Sequence, residues 1–140
     1  MIIIKINILE ENMYQLDKPD NVLEILENSV KNYPELPFIG EKKNKGEYEW
    51  IKYKDFGSRV DNARGGLSQL DIKKGDAVGI IANNCTDWAV CFYATLGLEA
   101  SFVPMYEAEL IQVWEYIISD AAIKVLFVSK KEIFEKIKGL

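Results

Sequence analysis

Three short apolar runs set the rhythm of the second half of the chain: Ala77 to Ala82, Ser101 to Met105, and Ile123 to Val128. The first is nearly continuous in apolar residues, which suits a strand covered on both faces better than one with a wet side. The second carries Pro104 near its end, where a missing N–H does least harm to a ladder. Between them Trp88 to Leu98 carries no charge and predicts a buried helix. Between the second and third runs, Leu110, Val113, Trp114 and Ile117 recur at helical spacing, with Glu109, Gln112 and Glu115 on the other side. After the third, Ser129 with Glu132 is a capping-box signature for a last helix. Strand, helix and strand in about thirty residues is the size of one βαβ unit. The order βαβαβα with right-handed crossovers therefore predicts a doubly wound, mainly parallel sheet of the α/β class, with sites at the carboxyl ends of its strands.

The first half reads differently. Asp17-Lys18-Pro19-Asp20-Asn21 is a turn and cap cluster, and Val22, Ile25, Leu26, Ser29 and Val30 follow at helical spacing until Asn32-Tyr33-Pro34 stops the helix. Pro37 to Ile39 and Tyr48 to Tyr53 predict a β-hairpin around the polar loop from Gly40 to Gly46. Phe56, Val60, Ala63, Leu67 and Leu70 then form one apolar stripe on a helix of about four turns. Gly65-Gly66 inside that helix costs roughly 1 kcal/mol per glycine relative to alanine, so close approach of another backbone is expected there. Residues 1–20 read as a leader, whose MIIIKINILEEN start is too soon broken by Lys5 and Glu10 for a secretory signal and suits an edge strand or a frayed end. A three-stranded parallel sheet leaves faces and an edge uncovered, so the natural polypeptide is expected to continue past Leu140.

Composition narrows the chemistry. At 140 residues and 49% hydrophobic the chain supports one core, and a net charge of −5 opposes a nucleic-acid partner. Lys42, Lys43 and Lys45 form the densest basic patch, but Glu41 and Glu47 flank it, as in a solvated turn. Histidine is absent, which excludes Ser-His-Asp and Cys-His nucleophile pairs and imidazole metal ligands within this chain. Cys85 and Cys91 have no second pair for a structural zinc site or a disulfide scaffold, and read as free, buried thiols. Gly40 and Gly46 do not make a phosphate loop, because Glu47 follows where Lys and then Ser or Thr are needed. The uncharged run from Trp88 is interrupted by Gly97, Glu99 and Pro104 before the ~20 residues a membrane-spanning helix requires. Trp50, Trp88 and Trp114 fit core positions, and Asn84, Thr86 or Asp87 fit the cap of the buried helix.

In order and spacing, several segments resemble the amino-terminal part of AMP-forming acyl-CoA synthetases, most closely the long-chain fatty-acid ligases. They are Tyr48-Glu49-Trp50-Ile51-Lys52-Tyr53, Lys74-Gly75-Asp76 before Val78-Gly79-Ile80, Asn84 with Asp87-Trp88, Gly97, Val103-Pro104-Met105-Tyr106, and Lys124 to Val128. The resemblance runs from Asn21 to the end and makes residues 21–140 an incomplete amino-terminal part of the large domain. Lys52 departs from it, standing where a helix-capping Thr or Ser is usual, and so does Cys85-Thr86, where Arg-Pro is common. The resemblance implies ATP-dependent activation of a fatty acid to an acyl-adenylate and transfer to coenzyme A, with Mg2+ assisting. It implies ATP, CoA and the fatty acid as small-molecule partners, the rest of the polypeptide as a further partner, a homodimer as an assembly, and a cytoplasmic setting with membrane association. The family's phosphate-binding segment and its lysine lie beyond residue 140, so catalytic residues are expected elsewhere and the 140-residue chain is expected to be inactive alone. Resemblance also places Met105, Tyr106 and Glu107 in the loop that approaches the CoA nucleotide; packing of Tyr106 on the sheet edge is the structural alternative. The competing reading is a self-contained flavodoxin-like or receiver-like module, although the first strand ends Ala82-Asn83-Asn84, without the acidic residues or the Gly-rich loop such a module needs.

Overall fold

The structure is a computed structural model that describes residues 19–43 and 46–139. Residues 1–18, which carry nearly all of the expected leader, lie outside the described residues. In chain order the elements are α1 (Val22–Asn32), β1 (Pro37–Lys42), β2 (Tyr48–Lys52), α2 (Tyr53–Gln69), β3 (Ala77–Ile81), α3 (Thr86–Leu96), β4 (Ser101–Met105), α4 (Ile111–Asp120), β5 (Ile123–Val128) and α5 (Lys131–Ile137). The antiparallel pair β1–β2 forms one small sheet, and β4-β3-β5 forms a second, parallel throughout. Every residue of β3 is buried, as its unbroken apolar run requires of a central strand.

Alternation along the strands sorts the core into two layers. Val78 on β3 packs with Phe56, Val60 and Leu67 of α2 and with Val90 and Ala94 of α3, and Val125 and Phe127 of β5 join them. On the opposite face Ile81 and Met105 pack with Trp114 of α4 and with Ile133 and Ile137 of α5. Helices on both faces make the sheet doubly wound. Gly79 is needed at the sheet centre, because a Cβ there would lie 2.7 Å from Ile123 Cδ1 and 2.9 Å from Leu126 Cδ1. The amino ends of the strands are tied by Asp76, which accepts from the Lys73 amide at 2.8 Å and pairs with Lys124 at 2.6 Å. Gly75, at φ +84°, makes the turn that places it.

Several local expectations give way to tertiary context. Among the described residues nothing lies within 4 Å of a Cβ built on Gly65 or Gly66, so the expected close approach of another backbone is not found at those positions. Leu70 leaves its stripe at 62% exposed, because α2 ends at Gln69 and Asp71 turns the chain away at φ 61°. Trp50 is 58% exposed rather than core: the strand face that holds Tyr48 and Trp50 looks outward, and its indole lies over Gly40. Tyr53 opens α2 instead of ending β2, and its amide donates to Leu36 O while that of Lys54 donates to Pro34 O. Those two carbonyls do the work of the missing Lys52 cap. Cys85 is exposed and only Cys91 is buried.

Candidate functional site

Strand β3 leads leftward to β4 through α3, and β4 leads back past β3 to β5 through α4. Ligands of open α/β sheets bind where strand order reverses in this way, outside the carboxyl ends. Three loops meet there, at Ala82–Asn84 after β3, Tyr106–Leu110 after β4, and Ser129–Lys130 after β5.

One carboxylate joins them. Glu107 accepts from the Asn83 amide at 3.0 Å and from Asn83 Nδ2 at 3.0 Å, both beyond β3. It also accepts from Ser129 Oγ and pairs with Lys130, both beyond β5. The Lys130 ammonium, then the Ser129 hydroxyl and the Asn83 amide, hold its carboxyl down at about 2. Because Ser129 turns to Glu107, the expected capping box with Glu132 does not form, and α5 starts from Lys130 without a side-chain cap. Trp114 fixes the same loop from below, its Nε1 donating to Tyr106 O at 2.9 Å.

The amino terminus of α3 borders the site and is capped from a distance. Its N-cap, Cys85, supplies no side-chain bond, and neither Asn84 nor Asp87 caps it. Asp87 instead pairs with Arg59 of α2. The Thr86 amide donates to Glu41 of the hairpin at 3.2 Å, so the anion favoured at a helix start comes from 45 residues upstream. The Thr86 hydroxyl, then its amide, lower the Glu41 carboxyl; among the described residues the buried hydroxyl lacks full hydrogen-bond geometry to any group, so the amide is the contact that defines the cap.

The three predicted loop residues take different roles. Met105 is buried at 4% exposure within the α4–α5 layer. Tyr106 is 74% exposed, so the packing of its ring on the sheet edge does not occur. Glu107 spends its oxygens on the two neighbouring loops. A cavity of about 170 Å3 opens beside Tyr106, lined by Ala82, Asn84, Trp88, Pro104 and Met105. That is below the ~300 Å3 at which small-molecule pockets begin, so it can form one wall of a larger site. Sequence reasoning missed Asn83, Ser129 and Lys130 as partners of Glu107; the only signal was their common position just after apolar runs.

Among the described residues no group of three or more Cys, Asp or Glu gathers that could hold a cation. Beyond the strands, Asn83, Ser129 and Lys130 turn their donors to Glu107.

The sequence profile of the AMP-binding enzyme family matches residues 26–139. The chain belongs to that family. Its relatives include a probable CoA ligase of Humulus lupulus, 27% identical over 79% of this chain and 17% of its own length. Long chain acyl-CoA synthetase 2 of Arabidopsis thaliana is 26% identical over 84% of this chain and 19% of its own length. Among solved structures, the inhibitor-bound N-terminal domain of FACL13 from Mycobacterium tuberculosis superposes with a TM-score of 0.76 at 21% identity, over 86% of this chain and 30% of that one. The chain thus spans under a fifth of the length of either curated relative.

Within this AMP-binding segment the residues of the family resemblance serve the fold. Lys74-Gly75-Asp76 closes the amino end of the sheet, opposite the site, and Lys74 pairs with Glu99 at 2.6 Å. Gly97 leaves room for Arg64, which would lie 2.7 Å from a Cβ there. Val103 to Tyr106 carries β4 into the site loop. No described helix is long and apolar enough to cross a membrane.

Proposed function

We propose that this chain is the amino-terminal portion of an ATP-dependent ligase that activates a long-chain fatty acid as its adenylate and transfers it to CoA. The observation that carries the reading is the family match across 26–139, on a parallel sheet whose switch point is intact. Relatives described as long chain acyl-CoA synthetases support the choice of acid. The chain supplies a wall of the site: the loop from Met105 to Glu107 faces the CoA nucleotide, and Tyr106, as the exposed member, makes the contact. ATP, Mg2+ and the reacting atoms are held by residues of the remaining polypeptide, because this segment has no Gly-rich loop followed by lysine. The working enzyme is cytoplasmic, associates with membranes and forms a homodimer.

Expression of the longest open reading frame that contains these 140 residues tests the proposal. With palmitate, ATP, Mg2+ and CoA that product is expected to form acyl-CoA and AMP, faster than with acetate or benzoate, while the 140-residue chain forms neither. Thioester formation by the short chain, or none by the long one with any acid, would overturn it. A reading frame that stops after Leu140 would favour the self-contained module instead.

A further inference from the structure

Asn84 and Trp88, which line the small cavity at Tyr106, also line a second one of about 780 Å3 between the hairpin and the start of α3. Its volume falls within the ~300–1,000 Å3 range of small-molecule sites. Ile39, Tyr48 and Ala89 join Trp88 as its apolar lining. Two further residues of the lining carry chemistry that the fold does not use. Cys85, the N-cap of α3, is a free, exposed thiol that caps nothing. Thr86 is 2% exposed, yet among the described residues its hydroxyl completes no hydrogen bond. A buried hydroxyl in that state is costly and marks a place where a further group belongs.

The neighbouring charge restricts what that group is. Glu41 lines the same cavity, and its carboxylate already accepts from the Thr86 amide, so a second full anion at this helix start is repelled. A phosphate or carboxylate ligand is thereby disfavoured. An uncharged carbonyl on a long apolar chain fits: the Thr86 hydroxyl donates to its oxygen, and the chain lies on Ile39, Tyr48, Trp88 and Ala89. We propose that Cys85 is S-acylated by long-chain acyl-CoA, the product supplied by the ligase reading above, on which this inference rests. The Cys85 sulfur attacks the thioester carbonyl carbon, the bond from that carbon to the CoA sulfur breaks, and the thiol proton passes to CoA. One thioester replaces another, with no oxidant or reductant. The partial charge that develops on the oxygen is met by the Thr86 hydroxyl and by the first-turn N–H groups that any helix start leaves spare. Since Asn84 and Trp88 are walls of both cavities, the attached chain presses on the site at Tyr106, a form of product feedback.

Palmitoyl-CoA added to the 140-residue chain, followed by intact mass and peptide mapping, tests the proposal. One hydroxylamine-labile palmitoyl group is expected, on Cys85 and not on the buried Cys91. It should form at least ~10-fold faster than on a peptide of residues 82–90 with the same thiol, and at least ~10-fold faster than acetyl transfer from acetyl-CoA. Thr86→Val should slow palmitoyl transfer at least ~10-fold while alkylation of Cys85 by iodoacetamide stays unchanged, and Thr86→Ser should restore the rate. Should Thr86→Val open Cys91 to alkylation, Tyr48→Ala on the exposed hairpin wall takes its place, with the same slowing expected. Equal rates on chain and peptide, or with palmitoyl and acetyl donors, or in wild type and variant, reduce the adduct to adventitious thiol chemistry and overturn the site. In the longer reading-frame product, palmitoyl-CoA formation without a Cys85 adduct overturns the modification and leaves the ligase standing. An adduct from added palmitoyl-CoA on a product that makes none does the reverse.

Discussion

Replacing Trp114 by phenylalanine should be among the more damaging single changes in this chain, and its size can be worked from three contributions. Trp114 is 1% exposed, packs with Ile81, Met105, Ile133 and Ile137, and donates through Nε1 to Tyr106 O. Loss of that bond costs about 1 kcal/mol net, since the carbonyl keeps a contact at 3.4 Å from the Glu109 amide and is not stranded. The smaller ring forfeits about 1 kcal/mol of transfer free energy. A void on the order of 40 Å3, at ~24 cal/mol per Å3, adds about 1 kcal/mol if the layer does not relax, and less if it does. The expected loss is about 2 to 3 kcal/mol, or roughly 10 °C in Tm for a domain of this size. Urea unfolding followed by far-UV circular dichroism measures it, with an unchanged slope against denaturant as the check that only stability moved. Trp50→Phe is the control: at 58% exposed it should change stability by less than about 0.5 kcal/mol. A Trp114→Phe loss no greater than that of the control would refute the assignment of Trp114 to the core and to the support of the site loop.

Four further outcomes follow from the geometry. The Glu107 carboxyl is lowered from its usual 4.5 to about 2, so its stabilising effect is complete above about 4.5 and is lost as pH falls towards 2; Glu107→Gln should flatten urea midpoints across that window, and an unchanged acid limb would count against the three-loop tie. Removing the distant cap in Glu41→Ala should cost about 0.5 to 1 kcal/mol, screening included, with faster exchange confined to the first turn of α3 and the hairpin; exchange that speeds up throughout the sheet would show a different role. Ala122 sits at φ 48°, where a Cβ is strained, so Ala122→Gly should raise stability by about 0.5 to 1 kcal/mol in a thermal melt, and a loss would argue against that backbone angle. Burial, with the Asp87 and Cys85 charges adding to it, pushes the Cys91 thiol up to about 11, while Cys85 is exposed; iodoacetamide at pH 8 should therefore give a single adduct on the native chain, at Cys85, by intact mass and peptide mapping.

Much of the architecture was written into local order. Each apolar run became a strand, each helical stripe a helix, and the unbroken run from Ala77 became the central, fully buried strand because only a strand covered on both faces tolerates such a sequence. The cap of α1 was equally legible: Asn21 accepts from the Glu24 amide at 3.0 Å and Glu24 returns a bond to the Asp20 amide at 2.7 Å, all within one turn. Tertiary structure decided what periodicity does not encode, namely which face is covered and which distant group satisfies a local need. Trp50 and Trp114 both fit an apolar stripe, yet only the second meets another layer. Glu41 caps a helix 45 residues away, and Ser129 abandons its own helix for a carboxylate 22 residues upstream. Buried and helix-terminal polar groups take the partner that chain folding brings within 3 Å or so, and sequence separation does not enter that free energy once the fold has closed the loops.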